Sequence, residues 1–384
     1  MKQEEIFEQE REEVCFRQTT KKAKQSFQVM IALQVRHHRL RYPEATQMAI
    51  SGHKVIGINI LCGVAILTIP YAVKEGGWLG LFLLFCFGII TCYTGILLQR
   101  CLETSHGLHT YLDIGQAAFG TTGRILISMF AIVTTFIVLP TVWLKDLSLL
   151  SYLSGSVDEV GFRHSGQILD LSSLPVAVGI FGFGFTGHSV FPNIYSSMKE
   201  PSKFPMVLLT SFGFSTLFYI GIAVCGYTMF GDDIQSQFTL NLPQQFTSSK
   251  IAIWTAAVTP MMKYALTITP VVLSLEEILP CSNSEKKRSK GVSLIFRTIL
   301  VLSTLVVALV FPFFATVAAL IGSFIAMLIA FIFPCLCYLR LSKDRLTNTD
   351  IGVCIFIIII GIVSGCCGTY SAIAKLIGET TNCH

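Results

Sequence analysis

The chain has 384 residues, 52% of them hydrophobic and only 13% charged. Soluble domains carry about 25% charged residues, so this composition excludes an ordinary water-soluble domain and points to an all-α polytopic membrane protein in a lipid bilayer. The net charge of +5 is too modest to argue for a nucleic-acid partner. Its distribution among loops says more, because Lys and Arg collect on the cytosolic side of a membrane.

Residues 1–50 are polar and mixed in charge ("MKQEEIFEQEREEVCFRQTTKKAKQ") and read as a flexible cytosolic tail, with a short surface helix over Ser26–Val35 as the alternative. No basic segment followed by an apolar core and a small-residue cleavage site occurs, so no cleavable signal peptide is expected. Residues 51–384 then form the transmembrane domain. Crossing the ~30 Å hydrocarbon core takes ~20 apolar residues. Nine segments qualify: Lys54–Ala72, Gly77–Leu98, Arg124–Leu144, Ser173–Val190, Val207–Phe230, Ile251–Leu273, Val292–Phe311, Phe314–Leu339 and Ile351–Ile377. The fourth is short and glycine-rich. The seventh and eighth abut at "FPFF", which places Pro312 in a tight turn.

Lys and Arg cluster before the first span (Lys21, Lys22, Lys24, Arg36, Arg39, Arg41), at Lys199 and Lys203, in "SEKKRSK", and at Arg340, Lys343 and Arg345. A cytosolic amino terminus puts all of these on the cytosolic side, as the loop-charge rule requires. The 13 cysteines are scattered through apolar segments without a C-x-x-C pair. That spacing suits neither zinc nor a disulfide framework, and no metal or cofactor is expected. There is no P-loop, H-E-x-x-H or G-x-S-x-G, so the chain reads as no enzyme.

Three spans are poor lipid anchors. In "GINILCGVAILTIPYAVKEGGW", Gly57, Asn59, Gly63 and Pro70 weaken or end a helix. Glycine costs ~1 kcal/mol against alanine in a helix interior. Backbone freed within a membrane is satisfied only by protein or by a watered cavity, so this span is expected to face a cavity; the alternative is that its glycines serve close packing. In "SLPVAVGIFGFGFTGHSVFPN", glycines at 179, 182, 184 and 187 make a continuous helix improbable at "FGFGFTGH". Paired discontinuous helices mark the substrate site of many secondary transporters. Their half-helix amino ends attract a carboxylate, and freed carbonyls hold a cation or ammonium, so two breaks suit an amino acid. His188 is a candidate proton carrier or simply a hydrogen-bonded residue at the end of the break.

In the third, Lys263 lies some 12 residues past Ile251, about 18 Å at 1.5 Å per residue, near mid-membrane. It either neutralises a carboxylate, gates, stands in for a coupling cation, or snorkels. Glu276, with Glu277, either gates the cytosolic exit or faces water.

The segments "GINILCGVAILTIPYAVKEGGWLG", "YLDIGQAAFGTTGR", "LPTVWLKDLSLLSYLS", "GHSVFPNIYSSMKEPSKFP", "GYTMFGDDIQSQFTLNLP" and "KYALTITPVVLSLEEILP" strongly resemble the amino acid/auxin permease family, in particular its plant vacuolar members. The resemblance implies a five-plus-five inverted-repeat (APC/LeuT-type) fold of eleven spans. It also implies amino acid exchange across the vacuolar membrane, usually driven by protons. It places the substrate at Asn59, Gly63, Val64 and Ala65 of the first broken helix and at Gly182, Gly184, Phe185 and Gly187 of the second. The residues themselves add Lys263, His188 and Glu276 as candidates for coupling or gating. Nine spans stand here against the family's eleven. "TTGRILIS" is similar to the start of the third family helix but runs straight into the likeness of the fourth, and "LSLLSYLS" into the loop before the sixth. The first repeat is thus expected to lack two spans. Two functions follow: a proton-coupled amino acid transporter, of the antiporter type that the resemblance implies, or a transport-impaired isoform acting as a sensor or regulatory partner.

Overall fold

A computed structural model describes residues 42–62, 64–104, 107–138, 167–241 and 314–381. The expected spans Ile251–Leu273 and Val292–Phe311, the Pro312 turn and most of the amino-terminal tail lie outside the described residues. The chain divides into two compact units, Met1–Gly52 and His53–His384. Of the first, only the opening turns of helix α1 are described.

Every regular element among the described residues is helical: α1 (Tyr42–Leu61), a 3-10 turn (Val64–Leu67), α2 (Ile69–Gly76), α3 (Gly80–Thr104), α4 (Tyr111–Val138), α5 (Leu174–Gly184), α6 (Phe191–Ser197), α7 (Phe204–Phe230), α8 (Phe314–Ile321), a π-helical stretch (Gly322–Ile332), α9 (Phe333–Leu341) and α10 (Asn348–Thr381), with further 3-10 turns at Pro201–Lys203, Gly231–Asp233, Phe238–Asn241 and Lys343–Arg345. Among the described residues, four stretches are long and apolar enough to cross a bilayer: Gly80–Thr104, Pro201–Asp233, Ala315–Leu341 and Asn348–Thr381. Their outer faces carry exposed apolar side chains, such as Phe82, Phe85 and Ile89 on α3, Leu209 and Leu217 on α7, and Phe356, Ile359 and Val363 on α10. Contiguous apolar surface of this kind needs lipid rather than water. The chain is therefore a polytopic membrane protein.

The third expected span begins earlier than its apolar run. α4 carries Gly120 at φ 65° and ψ −153°, which divides it into a short leading helix and a longer apolar one. Nothing lies within 4 Å of where a Cβ would sit on Gly120, so the backbone angle alone requires glycine there.

α5 lies centrally: α2, α8, α10 and the π-helical stretch all pack on it, while α7 packs on α2 and α3. The crossing of α5 with the π-helical stretch is very close. A Cβ on Gly322 would lie 2.6 Å from the Phe183 nitrogen and closer still to the Gly179 carbonyl oxygen. A Cβ on Gly182 would meet Met327 Cε at 2.8 Å and the Gly322 carbonyl at 2.9 Å. Without a hydrophobic drive between helices in lipid, such small-residue contacts supply much of the association. At the end of the bundle nearest the start of α10, Arg100 of α3 reaches Tyr338 Oη at 3.3 Å and Asp350 at 3.5 Å.

Gly322→Val is expected to force α5 and the π-helical stretch apart and to cost about 1–3 kcal/mol or more, seen as lower thermal stability of the detergent-purified protein. Gly213→Ala, on α7 with nothing within 4 Å, should leave it unchanged.

Candidate functional site

α1 ends at Leu61, and the next α-helical residue is Ile69. Between them the Cys62 amide closes α1 by donating to the Ile58 carbonyl (2.7 Å), and the Thr68 amide donates to the Ala65 carbonyl (3.0 Å). The Thr68 hydroxyl also donates to the Ala65 carbonyl (3.1 Å). That side chain therefore does not cap α2, whose first turn has no side-chain cap and carries Pro70. Pro70 thus starts the second half-helix rather than ending the first, as its fixed φ and missing donor suit. Residues 65–69 are nearly inaccessible, at 0–3% exposure.

The second break begins later than the glycine spacing predicts. α5 stays helical through Gly182 and Gly184, and the non-helical stretch runs over 185–190. The glycines up to 184 are compatible with a helix because their missing side chains serve close contact. The Thr186 hydroxyl donates back to the Gly182 carbonyl (2.8 Å), and the Gly187 amide to the Phe185 carbonyl (3.0 Å). α6 then starts at Phe191 behind Val190, a residue unable to cap it.

The two breaks meet. The single O–H of Tyr219 on α7 is shared between two acceptors, the Leu61 carbonyl, the last of α1, and the Gly184 carbonyl, the last of α5, the latter at 3.0 Å. A Cβ on Gly184 would lie 3.4 Å from the Ala65 methyl, and one on Gly187 would lie 3.2 Å from Leu61 Cδ2. Phe185 is fully buried, its ring 5.5 Å from that of Tyr219 and 6.1 Å from Phe212. α7 lines the first helix further with small polar groups. The Cys62 thiol donates to Ser215 Oγ (3.2 Å), and Ser211 Oγ donates to the Lys54 carbonyl (3.3 Å). A Cβ on Gly57 would collide with Ser211, so this glycine serves packing.

His188 is completely buried. Its Nε2 lies 2.9 Å from Thr94 Oγ1 and 3.1 Å from the Thr91 carbonyl. An acceptor carbonyl at that distance makes Nε2 the protonated nitrogen. Nδ1 has no hydrogen-bond partner among the described residues. Phe191 and Phe212 stand against the ring at 5.2 and 6.3 Å.

Of the expected site residues, Ala65, Gly184, Phe185 and Gly187 are thus brought together, with His188 next in sequence. Gly182 faces the π-helical stretch instead. Asn59 stands in the last turns of α1 and Val64 opens the 3-10 turn. Gly63, Lys263 and Glu276 lie outside the described residues. Tyr219 and Thr94 escaped the sequence reading. A hydroxyl within an apolar span was the available signal, but tyrosine is common in such spans and threonine usually bonds its own helix.

A family model described as "Transmembrane amino acid transporter protein" matches residues 54–139 and 127–374. Amino acid transporter AVT1E of Arabidopsis thaliana is 68% identical over 384 residues, covering 85% of this chain and 73% of the relative. Amino acid transporter AVT1D of the same plant is 55% identical over 403 residues, covering 89% and 73%. Amino acid transporter AVT1I is 33% identical over 382 residues, covering 84% and 94%. The two family matches overlap at 127–139, where the sequence joins its likeness to the third family helix with that to the fourth. The alignment with AVT1E is as long as this whole chain yet takes in 85% of it, so the relative has residues opposite a gap here.

Tyr219→Phe is expected to leave two buried carbonyls short of a donor and to cost about 1–3 kcal/mol, seen as a lower melting temperature. Tyr195→Phe, whose hydroxyl makes only a long 3.4 Å contact with Glu103 at the surface, should be neutral by the same measurement.

Proposed function

The chain belongs to the transmembrane amino acid transporter family, and on that premise we propose that it is a secondary transporter moving amino acids across the vacuolar membrane by alternating access. The observation that carries this reading is the Tyr219 hydroxyl shared between the end of α1 and the end of α5. It holds both helix interruptions at one point, where a zwitterion finds both kinds of partner it needs. The uncapped start of α2 offers amides and the positive end of a helix dipole to the carboxylate. Carbonyls ending α1 and α5 face the ammonium. Asn59, Gly63 and Val64 complete the first half of the site, and Gly184, Phe185 and Gly187 form the second.

Proton coupling is part of the proposal. It rests on the family resemblance, with His188, whose Nδ1 has no hydrogen-bond partner among the described residues, and Lys263 and Glu276 as the proposed coupling or gating residues. The amino terminus is proposed to face the cytosol, from the loop charges.

A second reading has its own support. The overlapping family matches and the gap in the alignment favour a chain short of two spans in its first repeat. Such a chain would bind substrate between the breaks without completing transport, as a sensor or regulatory partner.

Purified protein in proteoliposomes, beside AVT1E, is the test. A pH gradient should drive uptake of labelled amino acids from a substrate panel, while a sodium gradient should not. Uptake driven by sodium alone would reject proton coupling. Saturable binding without uptake would favour the second reading, and neither binding nor uptake would reject both.

A further inference from the structure

Tyr71 and Glu75 stand four residues apart on α2 and so share one face of that short helix. Lys375 of α10 meets both: its Nζ lies 2.7 Å from Glu75 Oε2 and 2.6 Å from Tyr71 Oη. The ammonium also sits 5.0 Å from the centre of the Tyr71 ring. The Glu75 side chain is 8% exposed and that of Lys375 26%, so the pair is mostly withdrawn from water but has a wet edge. One turn further along α10, Glu379 accepts a hydrogen bond from Thr316 of α8 at 2.8 Å. One face of α10 therefore grips α2 and α8 at the same end, and all three pack on α5. α2 is only eight residues long. It hangs between the break at Thr68 and Gly77, which has φ 73°.

We propose that Lys375, with Glu75 and Tyr71, is a latch by which the carboxy-terminal helix holds α2 shut over the two breaks. In the latched form, residues 65–69 are sealed. The latch opens by rehydrating both charges from the wet edge of the pair, which frees α2 to swing on Thr68 and Gly77 and opens a path to the site from the membrane face at which Lys375 lies. A mostly buried pair suits this role. Removing one partner leaves the other uncompensated, whereas exchanging the two restores the attraction. The purpose given to the latch rests on the transport reading above, but its existence does not.

Cys62, buried in the first break, is a native reporter. A membrane-impermeant maleimide is applied to the face at which Lys375 lies, and alkylation of the Cys62 peptide is followed by mass spectrometry in the full chain. Glu75→Gln and Lys375→Met should each raise the Cys62 labelling rate about tenfold or more. The exchanged pair, Glu75→Lys with Lys375→Glu, should return it towards the wild-type value. Cys335 and Cys337, buried in α9, should stay unlabelled throughout. Unchanged Cys62 labelling in both single variants would overturn the latch. So would labelling that rises equally at Cys335 and Cys337, because that marks unfolding, and so would an exchanged pair that labels like the single variants. Labelling requires no amino acid flux, so a wild-type chain that fails to transport would count against the transport reading and leave the latch readable.

Discussion

A helix that stops inside a bilayer leaves carbonyls and amides that no solvent will satisfy, and the rest of this structure depends on how that debt is met. One phenolic hydroxyl answers for the ends of two helices. Tyr219 reaches the final carbonyls of α1 and α5, from a helix that also receives the Cys62 thiol and supports the Lys54 carbonyl through Ser211. α7 is thus the fixed rail against which both interrupted helices are registered. Being fully buried, the Tyr219 ring also packs under Phe185 at the second break. The breaks are consequently ordered, and the amino ends that follow them are uncapped by side chains. That combination is what the proposed substrate site requires.

Around this centre the glycines divide by purpose. Gly179, Gly182 and Gly322 let α5 and the π-helical stretch approach to backbone contact, and Gly57 lets α1 meet Ser211. Gly120 alone among these is required for its backbone angle. Close packing of this kind binds α5 to the second half of the protein, and α10 closes over the same end through Lys375 and Glu379. The second half of the chain therefore contributes strongly to holding the breaks, which explains how the pairing of the breaks persists in a chain with a gap against its relatives.

Much of this was legible in the sequence. Low charge and apolar runs gave the membrane class and the outlines of the long helices, because hydrocarbon tolerates few alternatives. The coincidence of glycine, asparagine and proline in "GINILCGVAILTIP" located the first interruption to within a turn. The second was displaced: "FGFGFTGH" reads as broken from its first glycine, but Gly182 and Gly184 serve contacts across helices and the chain departs from the helix only at Phe185. Composition cannot distinguish a glycine needed for space from one needed for freedom. Tyr219, Thr94, Glu75 and Lys375 were missed for a related reason. Their importance lies in partners 35 to 304 residues away, and nothing in the local pattern shows which polar group in an apolar span has found one. Lys375, near the end of the last span, is paired with a carboxylate 300 residues away in the chain.

The central claim is that the two interruptions form one amino acid site. Hydrogen–deuterium exchange of the purified chain, with and without a saturating amino acid identified by binding, tests it most directly. One shared site should slow exchange over 62–68 and 185–190 together on adding the amino acid, with little change at the exposed start of α10. Protection of one break without the other, or of neither while the amino acid is bound, would contradict it.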